Sequence, residues 1–360
     1  MFNGERLRIA RQRRAMNKQR LAQAVGVSPR TITGWESDEY PPQKAKIEAL
    51  ANVLSFPEAF FMRPPPAQTV ASAVSFRSLT TKAAADRDAA TAMCDIVQDI
   101  VWWMERNYEL PSSSLPDCRN EDPEIAAERV RQEWGRGIRP IKNMIALLEA
   151  KGVRILSLAE NCREIDACSF WADSRPYILL NPEVSNERLR FDLAHELAHL
   201  VLHRHGAPSG QEAEKEANRF ASEFLMPEAS VRANRPRVWS LSAIIERKAI
   251  WNVSAAALTY RVHQLGQTSP WQNKSLNIEL RRRGFKEKEP NSSQREQSSL
   301  LEAVLGHMRS KGMGLSFIAN QTALPVDEVR SYLWGLAKVA VEGLGAGGAA
   351  QSGAHLRVVK

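Results

Sequence analysis

The stretch RFDLAHELAHLVLHRH, from Arg190 to His205, constrains the fold more than any other feature of the chain. It lies in a run without proline or glycine that predicts a helix from Ser185 to Gly206. Residues four apart on a helix lie on the same face, one turn above each other. The imidazoles of His195 and His199 can therefore reach one metal ion, which is the spacing that zinc needs.

Glu196 lies next to His195 in the sequence but on a different side of the predicted helix. Helix geometry turns it about 100° from His195, so it is placed beside a bound metal and outside its ligand shell. There it can accept a proton from water. His203 continues the four-residue spacing, but three ligands on one straight helix cannot surround an ion. We expect His203 to support a ligand from the helix end, and His205 to belong to the following loop.

The third ligand that a catalytic zinc requires should come from another element. The next predicted helix, PSGQEAEKEANRFASEFL, carries three carboxylates: Glu212, Glu214 and Glu216. Glu214 lies nearest the apolar stripe of that helix and is the favoured ligand, with Glu216 as the alternative. Asn218, one turn beyond Glu214, is a candidate to orient a ligand. The competing interpretation is a buried helix whose histidines are satisfied by hydrogen bonds.

Three short β-rich runs precede these helices: VRILSL, DACSFWA and PYILLN. Turns that contain charged residues or proline separate the runs, and the amphipathic helix IKNMIALLEAKG comes before them. The pattern predicts a small α+β domain. A peptide substrate would lie extended along an edge strand, for which PYILLN is favoured, and would pair main chain to main chain.

The N-terminal segment is basic, with no acidic residue from Arg6 to Trp35. A block of one sign at a terminus suggests an anionic partner, and double-stranded DNA is the first candidate. The turn residue Gly26 and the helix start at Ser28 predict two short helices joined by a turn, which is the geometry of a helix-turn-helix. A three-helix interaction module without DNA is the alternative. The candidate DNA-contacting residues are Lys18, Ser28, Arg30, Thr31 and Thr33.

The motifs LAQAVGVS, ITGWE and IEALANVL resemble the Cro/C1-type (XRE family) helix-turn-helix. One departure is Lys18, where members of that family often carry glutamine; a phosphate contact is still expected there, without a glutamine-type clamp. HELAHLVLH followed by EKEANRFASEFLMP resembles the ImmA/IrrE family of zinc metallopeptidases, and the three strands fit its gluzincin-like core. That resemblance implies one zinc ion per chain on His195, His199 and Glu214, with Glu196 as the general base.

The predicted fold class is multidomain and mostly α, with a small α+β gluzincin-like metallopeptidase core and an all-α N-terminal helix-turn-helix. The predicted units are 1–62 (helix-turn-helix), 63–75 (proline-rich linker), 76–140 (helical), 141–230 (zinc peptidase core), 231–290 (helical), 291–342 (helical, helix-turn-helix-like) and 343–360 (disordered, Gly/Ala-rich). A helix is predicted from Thr80 to Asn107, with Trp102 and Trp103 near its end and in the core.

Composition narrows the classes of function. Hydrophobic residues at 43% and charged residues at 25% are typical of a soluble globular protein. No apolar run has the length of a membrane span, and the N-terminus lacks the apolar region of a secretory signal. The four cysteines form no C-x-x-C pair, which argues against disulfides and zinc–thiolate sites. We therefore expect a cytoplasmic protein without a membrane partner.

Two functions from different classes remain. The first is a DNA-binding transcriptional regulator whose zinc endopeptidase cuts a regulatory protein, by resemblance a repressor, in trans or in cis, in a stress response. The second is a transcription factor whose peptidase-like domain is a non-catalytic sensor or dimerisation module. A homodimer is compatible with both. A zinc hydrolase acting on a non-peptide amide is a third, weaker interpretation.

Overall fold

The structure, a computed structural model, describes residues 1–67, 75–76, 84–159, 166–204, 210–285, 288–337 and 357–358. The N-terminal module consists of α1 (Gly4–Arg13), α2 (Lys18–Val25), α3 (Pro29–Glu36), α4 (Lys44–Leu54) and a 3-10 turn at Glu58–Met62. Gly26, at φ +65°, ends α2. The Ser28 hydroxyl then caps α3, accepting a hydrogen bond from the Thr31 N–H at 3.1 Å. The helices close over a buried core that includes Leu21, Ile32 and Trp35.

A four-stranded sheet forms the centre of the chain. The three predicted runs become β2 (Arg154–Ser157), β3 (Ala167–Ala172) and β4 (Arg175–Leu180), and a two-residue strand, β1 (Ser75–Phe76), joins them. The order is β1-β3-β4-β2, with β4 antiparallel to β3 and parallel to β2. The prediction that PYILLN lies at an edge is therefore wrong. Both flanks of β4 are paired, and its almost continuous burial from Pro176 to Leu180 is typical of a central strand.

Five helices belong to the central part of the chain: α5 (Ala84–Asn107), α6 (Pro123–Glu133), α7 (Met144–Ala150), α8 (Asn186–Leu202) and α9 (Gln211–Leu225). α7 and α8 pack on the sheet, α9 packs on α8, and α6 packs on α9. The first described residue of α5 is Ala84; the predicted start at Thr80 lies outside the described residues. Ser185 caps α8 as predicted, but the helix ends at Leu202 with His203 as its cap, four residues before the predicted Gly206. The assignment of His205 to a loop lies outside the described residues. α8 packs against α9, β3 and β4, which places the HELAH segment between a helix and the sheet.

The C-terminal part is helical, as predicted. It consists of α10 (Glu228–Ala233), α11 (Leu241–Trp251), α12 (Ala255–Gln264), α13 (Pro270–Arg282), α14 (Ser299–Ser310), α15 (Leu315–Thr322) and α16 (Val326–Leu333). α16 packs on β2 and buries Val329, Tyr332 and Leu333, so this face is not available for DNA. Within the tail predicted to be disordered, only residues 357–358 are described, and Val358 forms an antiparallel bridge with Tyr108. The prediction for the rest of the tail lies outside the described residues. No described helix is long and apolar enough to cross a membrane.

The N-terminal module is fixed to the rest of the chain by buried ion pairs. Arg6 donates two hydrogen bonds to Asp99 of α5, at 2.6 and 2.9 Å. Arg13 and Arg14 of the same module both contact Glu328 of α16, at 3.1 and 2.6 Å. The basic block is thus largely neutralised inside the molecule. Within the described part of the chain, Arg20 and Arg30 are its only members without an ion pair; the paired members are Arg6, Arg8, Arg11, Arg13, Arg14 and Lys18.

Candidate metal centre

Three predicted metal ligands converge where α8 meets α9. His195 Nε2 and His199 Nε2 lie 3.2 Å apart. Glu214 Oε2 lies 3.3 Å from His195 Nε2, and Glu214 Oε1 lies 3.6 Å from His199 Nε2. These are the three residues of the described chain whose ligand atoms cluster as a metal site requires. The i,i+4 spacing on α8 supplies two of them and α9 supplies the third, as the sequence predicted.

The separations fit zinc. Ligand atoms at zinc's usual bond length of about 2.0–2.1 Å, in tetrahedral directions, lie roughly 3.3 Å from one another. The three separations here, 3.2, 3.3 and 3.6 Å, match that value. The side chain of His195 is 1% exposed and that of Glu214 is 30% exposed. The cluster is therefore enclosed on the side of α8 and more exposed on the side of Glu214.

A hydrogen-bonded chain behind His199 determines the tautomer of that ring. His199 Nδ1 lies 2.9 Å from His203 Nδ1, and His203 Nε2 lies 2.8 Å from Glu216 Oε2. An ionised carboxylate only accepts hydrogen bonds, so neutral His203 donates through Nε2 and accepts from His199 at Nδ1. The Nε2 atom of His199 then carries a lone pair directed into the cluster, as a metal ligand must. Glu216 contacts His203 and lies outside the cluster, which favours Glu214 over Glu216 as the third ligand.

The pKa values of the surrounding groups agree with this arrangement. Burial raises the pKa of Glu214, but the adjacent imidazoles of His195 and His199 outweigh this effect and hold that pKa well below its usual value. Burial lowers the pKa of His203, and its hydrogen bond with Glu216 only partly opposes the effect. Glu214 is thus an ionised carboxylate and His203 a neutral imidazole near neutral pH, which are the forms that the hydrogen-bond pattern requires.

Glu196, the predicted general base, is held by a residue that sequence reasoning missed. The Ser169 hydroxyl of β3 donates a hydrogen bond to Glu196 Oε2 at 2.6 Å, and both residues are buried. The contact joins a strand to a helix, so no local spacing indicates it. The polar Ser169 within the apolar run DACSFWA was the available signal. Asn218, by contrast, makes no hydrogen bond to the three clustered residues within the described chain, and its orienting role stays a prediction.

The predicted DNA-contacting residues are exposed or half-exposed at the start of α2 and around the start of α3, but most of their polar groups are engaged. The Ser28 and Thr31 hydroxyls bond to each other at 2.9 Å. Lys18 Nζ contacts Thr33 Oγ1 at 3.2 Å and Glu36 Oε2 at 3.3 Å. Arg30 is exposed and, within the described residues, has no ion-pair partner. Arg30 is therefore the candidate best placed to reach a base or a phosphate.

Comparison with family models gives two matches in the chain. Residues 148–263 match the IrrE N-terminal-like domain, Peptidase_M78. Residues 4–59 match a helix-turn-helix domain. The chain joins a helix-turn-helix to an IrrE N-terminal-like domain. A comparison with curated proteins returned no match.

The IrrE N-terminal-like domain contains the whole candidate metal centre. Its matched range extends from the end of α7 through most of α12, and so includes β2, β3, β4, α8 and α9. This domain is of the metallopeptidase type, and the helix-turn-helix is of the DNA-binding type, as the two sequence resemblances predicted.

Proposed function

We propose that this protein is a DNA-binding transcriptional regulator whose IrrE N-terminal-like domain is a zinc-dependent endopeptidase. The observation that carries the proposal is the convergence of His195, His199 and Glu214 at zinc-like separations, with Glu196 adjacent on the same helix. Its substrate is a regulatory protein, a repressor in trans or the chain itself in cis. It acts in the cytoplasm, where the helix-turn-helix has access to double-stranded DNA.

The chain's own residues perform the proton transfers of peptide hydrolysis. His195, His199 and Glu214 would hold a zinc ion, which would supply Lewis acidity to a peptide carbonyl and lower the pKa of water to about 7. Glu196 takes the proton from the attacking water and passes it to the departing amine. The hydrogen bond from Ser169 limits the rotamers of Glu196, so that its carboxylate is already oriented when substrate binds.

The zinc content of purified variants tests the ligand assignment. The wild type should contain about one zinc per chain, and His195→Ala and Glu214→Gln should lose most of it, because three protein ligands are needed to hold the ion. Glu196→Gln should keep its zinc, since Glu196 is outside the ligand shell. Normal zinc in Glu214→Gln together with loss in Glu216→Gln would show that Glu216 is the third ligand.

Incubation of wild type and Glu196→Gln with a cell lysate tests the activity. Endopeptidase function predicts new protein fragments that form with the wild-type chain and not with Glu196→Gln. Both proteins must carry equal zinc, so that the comparison isolates the proton transfer. An absence of Glu196-dependent fragments at full zinc occupancy would favour a non-catalytic sensor or dimerisation module.

A further inference from the structure

The outer edge of β3 lies beside the candidate metal centre. Ser169 of β3 donates a hydrogen bond to Glu196 Oε2 at 2.6 Å. Two residues further along the strand, Trp171 Nε1 donates to the backbone carbonyl of Leu200 at 3.2 Å. The strand therefore runs along α8, the helix that carries both clustered histidines. One flank of β3 is paired with β4, which leaves the other flank as the edge next to the site.

A segment of the same chain is paired with that edge. The backbone of β1 is antiparallel to β3, with Ser75 opposite Ser169 and Phe76 opposite Cys168. The register thus places Ser75 opposite the residue that holds the general base. β1 belongs to the segment between the N-terminal module and α5, well away from the IrrE N-terminal-like domain in the sequence.

An extended peptide would use the same hydrogen-bonding groups. The backbone N–H and C=O groups at a strand edge are a template for another strand, and many peptide-binding proteins add their ligand in this way. A peptide must be extended for its carbonyl to reach a catalytic group. The outward N–H and C=O groups of the β3 backbone cannot pair with β1 and with a substrate simultaneously.

Covalent attachment makes even a short strand an effective competitor. β1 is tethered on both sides by short stretches of chain, between Ala67 and Ala84. A ligand on a short tether is present at an effective concentration in the millimolar range, which is comparable to or above typical substrate concentrations. A strand of two residues contributes few hydrogen bonds, so a longer peptide can still displace it.

We propose that the Ser75–Phe76 segment is an intramolecular competitor that occupies the strand edge used by the substrate. The inference rests on the proposed peptidase function. It corrects the expected location of substrate from β4 to β3, and it assigns a regulatory role to a segment at the boundary between the predicted linker, which ends at Ser75, and the predicted helical unit, which begins at Phe76. A protein that draws this segment away from β3 would increase cleavage without altering the metal ligands.

Hydrogen exchange of the full-length chain tests whether β1 protects β3. In Ser75→Pro/Phe76→Pro both backbone N–H groups are absent, so the antiparallel pairing is lost. Amides in a peptide that covers 167–171 should then exchange at least about tenfold faster than in the wild type. The matched control, Ser75→Ala/Phe76→Ala, keeps both N–H groups and should exchange close to the wild-type rate. Equal exchange in the proline variant and the wild type would overturn the proposal.

A binding measurement separates edge occupancy from catalysis. The probe is a fluorescein-labelled peptide of residues 70–80, VASAVSFRSLT, added to chains that also carry Glu196→Gln. The proline variant should bind this peptide about tenfold more tightly than the chain with an intact β1, since the tethered competitor is gone. Equal affinities would contradict competition for one site.

Casein hydrolysis with zinc-loaded full-length chains measures the functional consequence. The proline variant should cleave casein several-fold faster than the wild type, and Glu196→Gln should abolish cleavage in both. It is possible to separate the two proposals: if neither the wild type nor the proline variant cleaves any protein, the peptidase function is contradicted. If hydrogen exchange and peptide binding still behave as expected, the occupancy of the β3 edge by β1 is supported independently. A Glu196-dependent cut between residues 75 and 76 of the wild type would identify the segment as a substrate and overturn its role as a competitor.

Discussion

At the scale of single residues, the candidate metal centre is supported by groups outside the cluster of His195, His199 and Glu214. A histidine binds zinc only through a nitrogen without a proton, and the His199–His203–Glu216 chain places the proton on the opposite nitrogen of His199. Because this hydrogen-bonded series ends on the carboxylate of Glu216, it also increases the electron density on the ring of His199. The proposed assignment of Glu214 as ligand and Glu216 as support rests on two carboxylates that lie two residues apart on α9 and contact different histidines.

Glu216→Ala should weaken zinc binding by about 10–100-fold without abolishing it, because the ligands remain but the ring of His199 is no longer held in one tautomer. Competition with a chromophoric chelator measures the affinity. Glu212→Ala is the matched control, since this exposed carboxylate of the same helix contacts only Lys215 among the described ion pairs. Equal zinc affinity in the two variants would contradict a supporting role for Glu216.

The residues that sequence reasoning identified are those whose positions follow from helical periodicity. Spacing on α8 and α9 is sufficient to bring His195, His199 and Glu214 together once two helices pack. Ser169 was missed because its contact depends on how β3 lies across α8, which local spacing does not determine. Trp102 and Trp103 were both expected in the core, but consecutive helical residues point about 100° apart. Trp103 is 4% exposed and Trp102 is 45% exposed, with Arg63 and Arg106 against its ring.

At the scale of elements, the sequence predicts that the three β-rich runs form strands, but it does not predict their order in the sheet. Each β-rich run forms a strand because its local composition favours extended structure. Order depends on the route of the chain between strands, and here β2 returns parallel to β4 on the side away from β3. The nearly continuous burial of β4 indicates a central strand, a signal contained in PYILLN itself. The two residues of β1 carry no such pattern.

The exposed side of α3 gives a prediction about DNA. Arg30→Ala should weaken operator binding and reduce the preference for one base by about 1–3 kcal/mol, because an arginine that reads a guanine edge contributes that much discrimination. Lys18→Ala should weaken binding more uniformly across sequences and flatten its salt dependence. Fluorescence anisotropy with operator and scrambled DNA at several salt concentrations measures both effects. Unchanged binding in both variants would remove α2 and α3 as the DNA-contacting elements.

The junction of α7 and α14 gives a prediction about pH. Glu149 accepts a hydrogen bond from the Leu300 N–H at 3.1 Å and another from the Ser298 hydroxyl. Burial raises its pKa from 4.5 to about 7 in spite of these bonds. The folded state therefore binds a proton more tightly than the unfolded state. The resulting stabilisation is fully present below pH 4.5 and is lost as pH rises to about 7.

Glu149→Gln should flatten this part of the pH dependence, because the amide is neutral throughout. From pH 4.5 to 7.5 the free energy of unfolding of the variant, relative to the wild type, should rise by roughly 3 kcal/mol. Chemical denaturation at several pH values measures the change. Glu128→Gln, an exposed glutamate on α6, is the control and should follow the wild type. A constant difference between Glu149→Gln and wild type would contradict a raised pKa.

At the scale of the whole molecule, ion pairs between distant parts of the sequence join the DNA-binding module to the peptidase-type part. Asp99 of α5 receives Arg6 and Arg63, and Glu328 of α16 receives Arg13 and Arg14. In the sequence these arginines form a block without acidic residues, and such a block predicts that they bind an anionic partner outside the chain. Their partners lie up to 315 residues away, so only the folded chain reveals them. Among the described basic residues of this block, Arg20 and Arg30 are therefore the ones that remain exposed to bind an anion such as DNA.

Glu328→Gln should weaken the attachment of the N-terminal module to α16. The side chains of Arg13 and Glu328 are each 5% exposed, and removal of one partner leaves a buried charge without compensation, at a cost of about 3–5 kcal/mol. Asp327→Asn is the matched control, because that side chain is 89% exposed and its pair with Arg330 is worth less than about 1 kcal/mol.

The released module should move independently of the peptidase-type part, since its own core does not depend on Glu328. We therefore expect a lower thermal midpoint, a larger radius of gyration in solution scattering and faster proteolysis between residues 63 and 84 in Glu328→Gln alone. DNA affinity should change little, because Arg30 and Arg20 lie away from the ion pair on α16. Identical proteolysis and scattering in Glu328→Gln and Asp327→Asn would show that the ion pairs with Asp99 and the packing of α1 on α5 hold the module without Glu328.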